Sequence, residues 1–262
     1  MKCVILISLY NAEKTLDRTF ESLRLQTYQD FRIIAVNDYS QDSTYQLLQK
    51  WQKQFGGNRF LLINNETNLG VTKSSNRGLQ EVNEKYVARM DADDWWDKDK
   101  LLKQISFLDK KTEYGIIGCN YININKKSSR KIITEKDNVV IKKNIIKKNP
   151  FAHSCVVYRT DLIQKIHGYD ESIKYGGDYE LYLRFFSLTK FYNIQEFLCF
   201  RSIEEEGISI KKQREQMLQC VKTKIKYLKL YDRSFLEYRH IIEPLLVALS
   251  PEWLRQVKRK LF

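Results

Sequence analysis

Asp91-Ala92-Asp93-Asp94 follows the apolar run Tyr86-Val87-Ala88-Arg89-Met90 and sets carboxylates two residues apart just past a strand. Carboxylates so spaced can converge on one hard divalent cation through oxygen ligands. The same residues also suit an acidic turn before a helix, where the dipole favours Asp. Asp97 and Asp99 fit that helix start. Asp38 ends another apolar strand, where its carboxylate can accept hydrogen bonds from a base or ribose, or close an Asx-turn on its own backbone. Tyr10 can stack on a flat ring or simply pack. Lys73 and Arg77, four residues apart on one helix, share a face and can meet phosphates, though solvated surface charge uses the same spacing. Asp178 follows Gly176-Gly177 and opens a helix, either as its N-cap or as a base at a helix mouth beside a flexible glycine pair. His153 sits in an apolar strand context, a setting more usual for a packed core histidine than for a catalyst.

These residues need a scaffold, and the hydrophobic pattern supplies one. Residues 3–9, 31–36, 60–63 and 86–90 read as strands, the first a continuous apolar run of the kind buried on both faces. Between them, residues 12–26, 43–55 and 72–83 have helical spacing, the second opened by Asp42 or Ser43 as cap. Strand and helix alternating four times with short connections predicts a mainly parallel sheet with helices on both faces. Ligands bind such sheets at the carboxyl ends of the strands, where Ser8, Tyr10, Asp38 and Asp91 fall. No GxGxxG follows the first strand, which argues against a dinucleotide loop. Further on, the pattern predicts a helix over 98–110, strands over 115–124, 130–134 and 151–158, short helices over 160–166 and 178–188, a strand near 191–200 and helix from about 211. Residues 136–149, rich in Lys and Asn with spaced Ile and Val, carry no clear period.

Taken in order, the motifs resemble the inverting family 2 glycosyltransferases of GT-A fold, from Val4 to about Ser209. Ile7-Ser8-Leu9-Tyr10-Asn11-Ala12-Glu13 is similar to that family's opening P-x-Y-N, with Ser8-Leu9 departing from it. Gln26-Thr27-Tyr28-Gln29-Asp30-Phe31 is similar to its helix-to-strand turn QTY-DFEI. Asn37-Asp38-Tyr39-Ser40-Gln41-Asp42 resembles DDGSTD, with Asn37 and Tyr39 as departures. Asn68-Leu69-Gly70-Val71 and Ser75-Asn76-Arg77-Gly78 resemble N-x-G and A-R-N-x-G. Asp91-Ala92-Asp93-Asp94 resembles the D-x-D-D metal motif. Asn149-Pro150-Phe151-Ala152-His153-Ser154, Gly168-Tyr169-Asp170-Glu171 and Gly177-Asp178-Tyr179-Glu180-Leu181-Tyr182-Leu183-Arg184 complete the series, with Gly177 where the family often has Glu. The resemblance implies a Rossmann-like GT-A domain over 1–210, with a nucleotide-sugar half (1–97) and an acceptor and catalytic half (98–210), followed by a basic helical extension over 211–262. It implies that Ser8, Tyr10 and Asp38 hold the uracil and ribose of a UDP-sugar, with Ala92 also at the nucleotide. Arg77, with Lys73, would approach the diphosphate. Asp91 and Asp93 would hold ribose and a Mn²⁺ or Mg²⁺ ion, Asp178 would be the catalytic base, and His153 and Arg184 would be further active-site candidates. The implied acceptor is a saccharide or lipid-linked glycan of lipopolysaccharide, capsule or another surface polymer.

Composition is consistent with this. The 262 residues carry 45 Lys and Arg against 32 Asp and Glu, a net charge of +13. Residues 120–165 hold 11 basic and 3 acidic residues, and residues 211–262 hold 13 and 5, so the excess lies outside the nucleotide half. A nucleic-acid-binding protein would cluster its lysines with exposed aromatics on one face, and Asp-rich strand ends would repel a polyanion. A metal-dependent nucleotidyltransferase shares the paired Asp but not the late Asp178 motif. Five scattered cysteines are no disulfide framework and suit a reducing, cytoplasmic setting. No apolar run reaches about 18 residues, so no spanning helix is expected. Residues 244–262, with Trp253, Arg255 and Lys258-Arg259-Lys260, can lie on an anionic leaflet or pack with a solvated basic face.

Overall fold

The computed structural model describes residues 1–203 and 212–252. The first part alternates as β1 (Cys3–Leu9), α1 (Leu16–Arg24), β2 (Phe31–Asn37), α2 (Thr44–Phe55), β3 (Phe60–Asn64), α3 (Val71–Leu79) and β4 (Tyr86–Asp91). It continues as β5 (Trp95–Trp96), α4 (Lys100–Lys110), β6 (Tyr114–Ile124), β7 (Ser129–Ile132), α5 (Asn138–Asn144), β8 (Val157–Arg159), α6 (Thr160–Lys165), α7 (Gly177–Phe185), β9 (Lys190–Ser202), α8 (Gln213–Leu230) and α9 (Ile242–Leu249). Among the described residues one sheet runs β3-β2-β1-β4-β8-β6-β9-β5, with β7 on β6. The long pairings β1–β2, β1–β4, β2–β3 and β6–β9 are parallel. The antiparallel ones, β4–β8, β5–β9, β6–β7 and β6–β8, are short.

Alternation along β1 explains why its apolar run is unbroken. Cys3, Ile5, Ile7 and Leu9 join a core with Leu16 and Phe20 of α1, Trp51 of α2 and Leu101 of α4. Val4 and Leu6 face the opposite core, with Ile141, Ile163, Leu181 and Tyr227. The sheet is therefore covered on both sides, as the sequence predicts. Gly78 lets α3 lie close on β1: a Cβ there would stand 2.4 Å from Leu6 Cδ1.

Several local expectations change. The segment 151–158 is not one strand: His153–Cys155 is a 3₁₀ turn and only Val157–Arg159 is strand. The cause is Ser154, whose hydroxyl bonds the Asp91 N–H and the Asp94 carboxylate and turns the chain toward β4. The aperiodic stretch 136–149 contains α5, of which Ile141 alone is buried. Helix α1 begins at Leu16, after a turn in which the Thr15 N–H bonds the Ala12 carbonyl. Ser43 is the N-cap of α2 without a side-chain bond, and Asp42 Oδ1 accepts the Thr44 N–H instead.

The C-terminal extension docks on the α7 side of the sheet. Tyr227 Oη donates to Glu180 Oε1 at 2.6 Å, and Lys224 Nζ donates to the Lys147 carbonyl at 3.0 Å. Arg233 Nη2 donates to the carbonyls of Lys142 and Lys143, at 3.1 and 3.3 Å. The expected domain boundary at 210/211 and the residues Trp253, Arg255, Lys258, Arg259 and Lys260 lie outside the described residues. No described helix is long and apolar enough to cross a membrane.

Candidate active site

Asp91 ends β4, and its carboxylate is oriented from below. Oδ1 lies 2.8 Å from His153 Nδ1, while His153 Nε2 lies 3.1 Å from Arg89 Nε and 2.9 Å from Tyr169 Oη. Burial lowers the ring's pKa, but Tyr169 and Asp91 outweigh it and raise it to about 9, so Nδ1 carries the proton that faces Asp91. Arg89 is fully buried within β4 and donates a second bond, at 3.2 Å, to Ser75 Oγ, which is 3.0 Å from Ser8 Oγ. One network thus joins Ser8, His153 and Asp91 across β1, α3, β4 and the 3₁₀ turn. His153 is thus a largely buried, fully hydrogen-bonded histidine, as its apolar neighbours suggest, and one of its partners is the Asp91 carboxylate.

Three aspartates crowd the loop after β4, and their environments separate them. Burial disfavours charge on Asp91, but His153, Arg89 and Arg201 outweigh it and hold its carboxyl far below the usual range. Burial, then repulsion by Asp91, raises Asp93 to about 6. Burial, then Asp93 and Asp91, pushes Asp94 up to about 8. Asp94 is structural: its side chain is 3% exposed, Oδ1 accepts the Ser202 N–H at 3.0 Å and Oδ2 accepts from Ser154. The Asp91 side chain, by contrast, is 33% exposed. The Ala92 carbonyl accepts from Thr15 and Thr19 at 2.8 and 2.9 Å, and Arg18 Nη2 donates to the Asp93 carbonyl at 2.9 Å, which pins the loop to α1.

This donor set fits a hard divalent cation. Asp91 and Asp93 offer oxygen ligands; burial and then repulsion by Asp91 raise the Asp93 pKa, and a cation would relieve both. Among the described residues no group of three His, Cys, Asp or Glu forms a protein-only cage. An ion held by one or two carboxylates with phosphate oxygens and water completing its shell is the arrangement Mg²⁺ usually adopts at phosphate substrates.

At the neighbouring strand ends, Asp38 is 3% exposed. Its Oδ1 accepts from Asn65 Nδ2 and the Leu69 N–H, and its Oδ2 accepts the Gly70 N–H, all at 2.8 Å. Asn65 Oδ1 in turn accepts from Arg77 Nη1 at 2.6 Å, so Asp38 and Arg77 are coupled through one amide. Lys73 is exposed one turn earlier on α3. Tyr10 and Tyr39 present exposed rings past β1 and β2, at 48% and 47%. Asn11 and Tyr39 hold left-handed backbone (φ 51° and 62°), and Asn11 Oδ1 accepts the Gln41 N–H at 2.8 Å to lock the two turns together.

Asp178 lies in the first turn of α7, whose N-cap is Gly176 at φ 74°, so Asp178 is not the cap. Its Oδ2 accepts from Asn149 Nδ2 at 3.0 Å. It forms part of the wall of an open cavity of about 430 Å³, lined also by Lys147, Lys148, Gln216, Lys224 and Val247 of α9. Burial, and after it the charge of Asp178, pushes up the phenol of the neighbouring Tyr182. Asn76 fastens this region to α3: Nδ2 donates to the Tyr169 carbonyl at 2.9 Å and Oδ1 accepts the Tyr169 N–H at 2.8 Å. Arg184 bonds Glu180 Oε2 and the Ile166 carbonyl, both at 2.8 Å, and shares with the other candidates only the helix that carries Asp178.

Sequence reasoning did not single out Asn65, Ser75, Arg89 or Tyr169 as site residues, although the last three connect the network beneath Asp91. Arg89 had a signal, as the one charge inside the apolar strand Tyr86–Met90. Ser75 and Tyr169 lie within the motifs Ser75-Asn76-Arg77-Gly78 and Gly168-Tyr169-Asp170-Glu171, whereas Asn65 looks like an ordinary loop residue until the fold closes.

Residues 4–166 match the family model described as glycosyl transferase family 2. Similar proteins include the putative glycosyltransferase EpsE of Bacillus subtilis strain 168, 28% identical over 258 residues, covering 95% of this chain and 90% of that protein. Another is the amylovoran biosynthesis glycosyltransferase AmsE of Erwinia amylovora, 33% identical over 191 residues, covering 70% of this chain and 69% of AmsE. Among solved structures, Staphylococcus aureus TarS 1–349 in complex with UDP-GlcNAc aligns with a TM-score of 0.72 at 18% identity, over 95% of this chain and 74% of that one. The mannosyltransferase PcManGT of Pyrobaculum calidifontis, in complex with GDP-Man and Mn²⁺, aligns at 0.69 and 14% identity, over 99% and 80%.

Proposed function

The chain belongs to glycosyl transferase family 2 and has the GT-A fold, and from that premise we propose that it is a metal-dependent, inverting transferase moving a sugar from a UDP-sugar to a saccharide acceptor of a bacterial surface polymer. The observation that carries the reading is the carboxylate pair at the end of β4: Asp91, held by His153 Nδ1 at 2.8 Å, and Asp93 two residues on. UDP as the nucleotide is supported by the TarS complex, and the surface-polymer acceptor by the amylovoran relative.

Asp91 and Asp93 would hold Mn²⁺ or Mg²⁺, which when bound neutralises the charge developing on the departing diphosphate. Tyr10 and Tyr39 offer faces for the uracil, and Ser8 and Asp38 line the strand ends where the ribose would sit. Arg77, with Lys73 one turn away, supplies positive charge for the phosphates. Asp178 takes the proton of the acceptor hydroxyl as that oxygen bonds to the anomeric carbon and the bond from that carbon to the UDP oxygen breaks. A single displacement inverts the configuration, so an α-linked donor gives a β-glycoside. Asn149 positions the Asp178 carboxylate.

The test is Asp178→Asn. Transfer should fall by at least about a thousandfold, the upper part of the usual range for a lost general base, with UDP affinity within about twofold of the unaltered protein. Unchanged turnover would remove Asp178 as the base.

A further inference from the structure

The C-terminal extension carries an apolar surface that the transferase reading does not use. Phe235 and Leu236 in a second 3₁₀ turn, Phe235–Ile241, are 86% and 72% exposed, and Ile242, Leu246 and Leu249 on α9 are 54%, 63% and 66% exposed. On its other side α9 buries Pro244 and Ala248, so the helix is packed on one face and greasy on the one that looks outward. A solvated helix carries polar residues there, and a contiguous apolar patch marks a contact surface.

Charge says what the contact is. The two strongly basic segments, 120–165 and 211–262, are distant in sequence but meet in the fold. The buried Lys224 Nζ bonds the Lys147 carbonyl, and Arg233 Nη2 bonds the carbonyls of Lys142 and Lys143, which leaves the exposed Lys143, Lys147 and Lys148 beside the extension to present the charge. Val139 of α5, 75% exposed, adds another apolar projection to the lysine-rich side. The acidic Glu237 in the 3₁₀ turn is paired with Arg233 at 3.2 Å. A second copy of the chain would set like charge against like charge. An anionic leaflet complements both features, since apolar side chains enter the headgroup boundary while lysines and arginines meet lipid phosphates.

We propose that the face formed by α5, the Phe235–Ile241 turn and α9 docks on an anionic lipid surface. The 430 Å³ cavity beside Asp178 is lined by Pro244 and Val247 on the packed side of the same helix and by Lys147 and Lys148, so α9 stands between that cavity and the docking face. That the acceptor is a saccharide carried on such a lipid rests on the transferase reading; the docking itself does not.

The experiment is co-sedimentation of the full chain with vesicles of phosphatidylcholine alone and of phosphatidylcholine mixed with phosphatidylglycerol. The unaltered protein should bind the mixed vesicles, lose binding as salt rises, and leave the neutral ones in solution. The double variant Leu246→Ser/Leu249→Ser, and separately Phe235→Ser, should cut binding at least about tenfold without altering the melting temperature or UDP affinity. Equal binding to neutral vesicles, or undiminished binding by both variants, would overturn the proposal. So would a concentration-dependent dimer in sedimentation velocity that the same substitutions dissolve. Loss of lipid binding with UDP affinity intact leaves the transferase reading standing, and the reverse outcome separates the two in the other direction.

Discussion

Asp38→Asn is a nearly isosteric change whose cost can be worked out bond by bond. The carboxylate accepts three donors, Asn65 Nδ2 and Leu69 N on Oδ1 and Gly70 N on Oδ2, each at 2.8 Å, and the side chain is almost fully buried. An amide has one acceptor oxygen. With that oxygen in the Oδ1 place it keeps two bonds without charge assistance and points an N–H₂ group at the Gly70 N–H; the flipped amide fares worse. Losing charge assistance on two bonds costs about 1 kcal/mol, and the lost third bond about 2 kcal/mol, for a total of about 3 kcal/mol. In a domain of this size that lowers the melting temperature by about 6–12 °C. Because Asn65 also holds Arg77 at 2.6 Å, UDP affinity should fall as well, by about tenfold. Differential scanning calorimetry and a UDP titration of the variant read both. A melting temperature within about 2 °C of the unaltered protein would refute the reasoning, because Asp38 would then not be the post that holds the Asn68–Gly70 loop.

Other expectations follow from single contacts. Glu180 is fully buried and accepts Tyr227 Oη at 2.6 Å, so Tyr227→Phe should cost about 2 kcal/mol, read as a lower urea midpoint, and loosen α8 from α7. Asp109 is held at about 2: burial opposes ionisation, but hydrogen bonds from Lys2, Tyr86 and Lys85 outweigh it. A carboxyl depressed in the folded state contributes stability above its unfolded pKa, and that contribution is lost as pH falls toward the folded value. Asp109→Asn should therefore remove roughly 1–2 kcal/mol at neutral pH, where its 30% exposure screens the pairs, and flatten the fall in stability between about pH 4 and pH 2 in urea melts.

The scaffold of β1, β2 and β4 was legible in the sequence because these strands are buried on both faces, and double burial leaves continuous apolar runs. The strand-end positions of Ser8, Tyr10, Asp38 and Asp91 followed from the same reading. What could not be read was set by contacts distant along the chain. His153 was placed in a strand because Phe151–Tyr158 is apolar, yet Ser154 bonds Asp91 and Asp94, some sixty residues earlier, and bends the chain. Trp95–Trp96 is too short to declare itself and pairs with Cys199 and Phe200. In α5 one buried isoleucine among lysines gives no period. Asn65 resembles any loop asparagine until Asp38, Ser74 and Arg77 converge on it.

Calorimetric titration of UDP into the protein, with and without Mn²⁺, bears most directly on the carboxylate pair at Asp91 and Asp93. Binding should tighten at least about tenfold with Mn²⁺ if Asp91 and Asp93 hold the ion that offsets the diphosphate charge, and Asp93→Ala should erase that gain while leaving the metal-free affinity in place. Equal affinity with and without Mn²⁺, or no UDP binding in either condition, would contradict a metal-dependent UDP-sugar transferase.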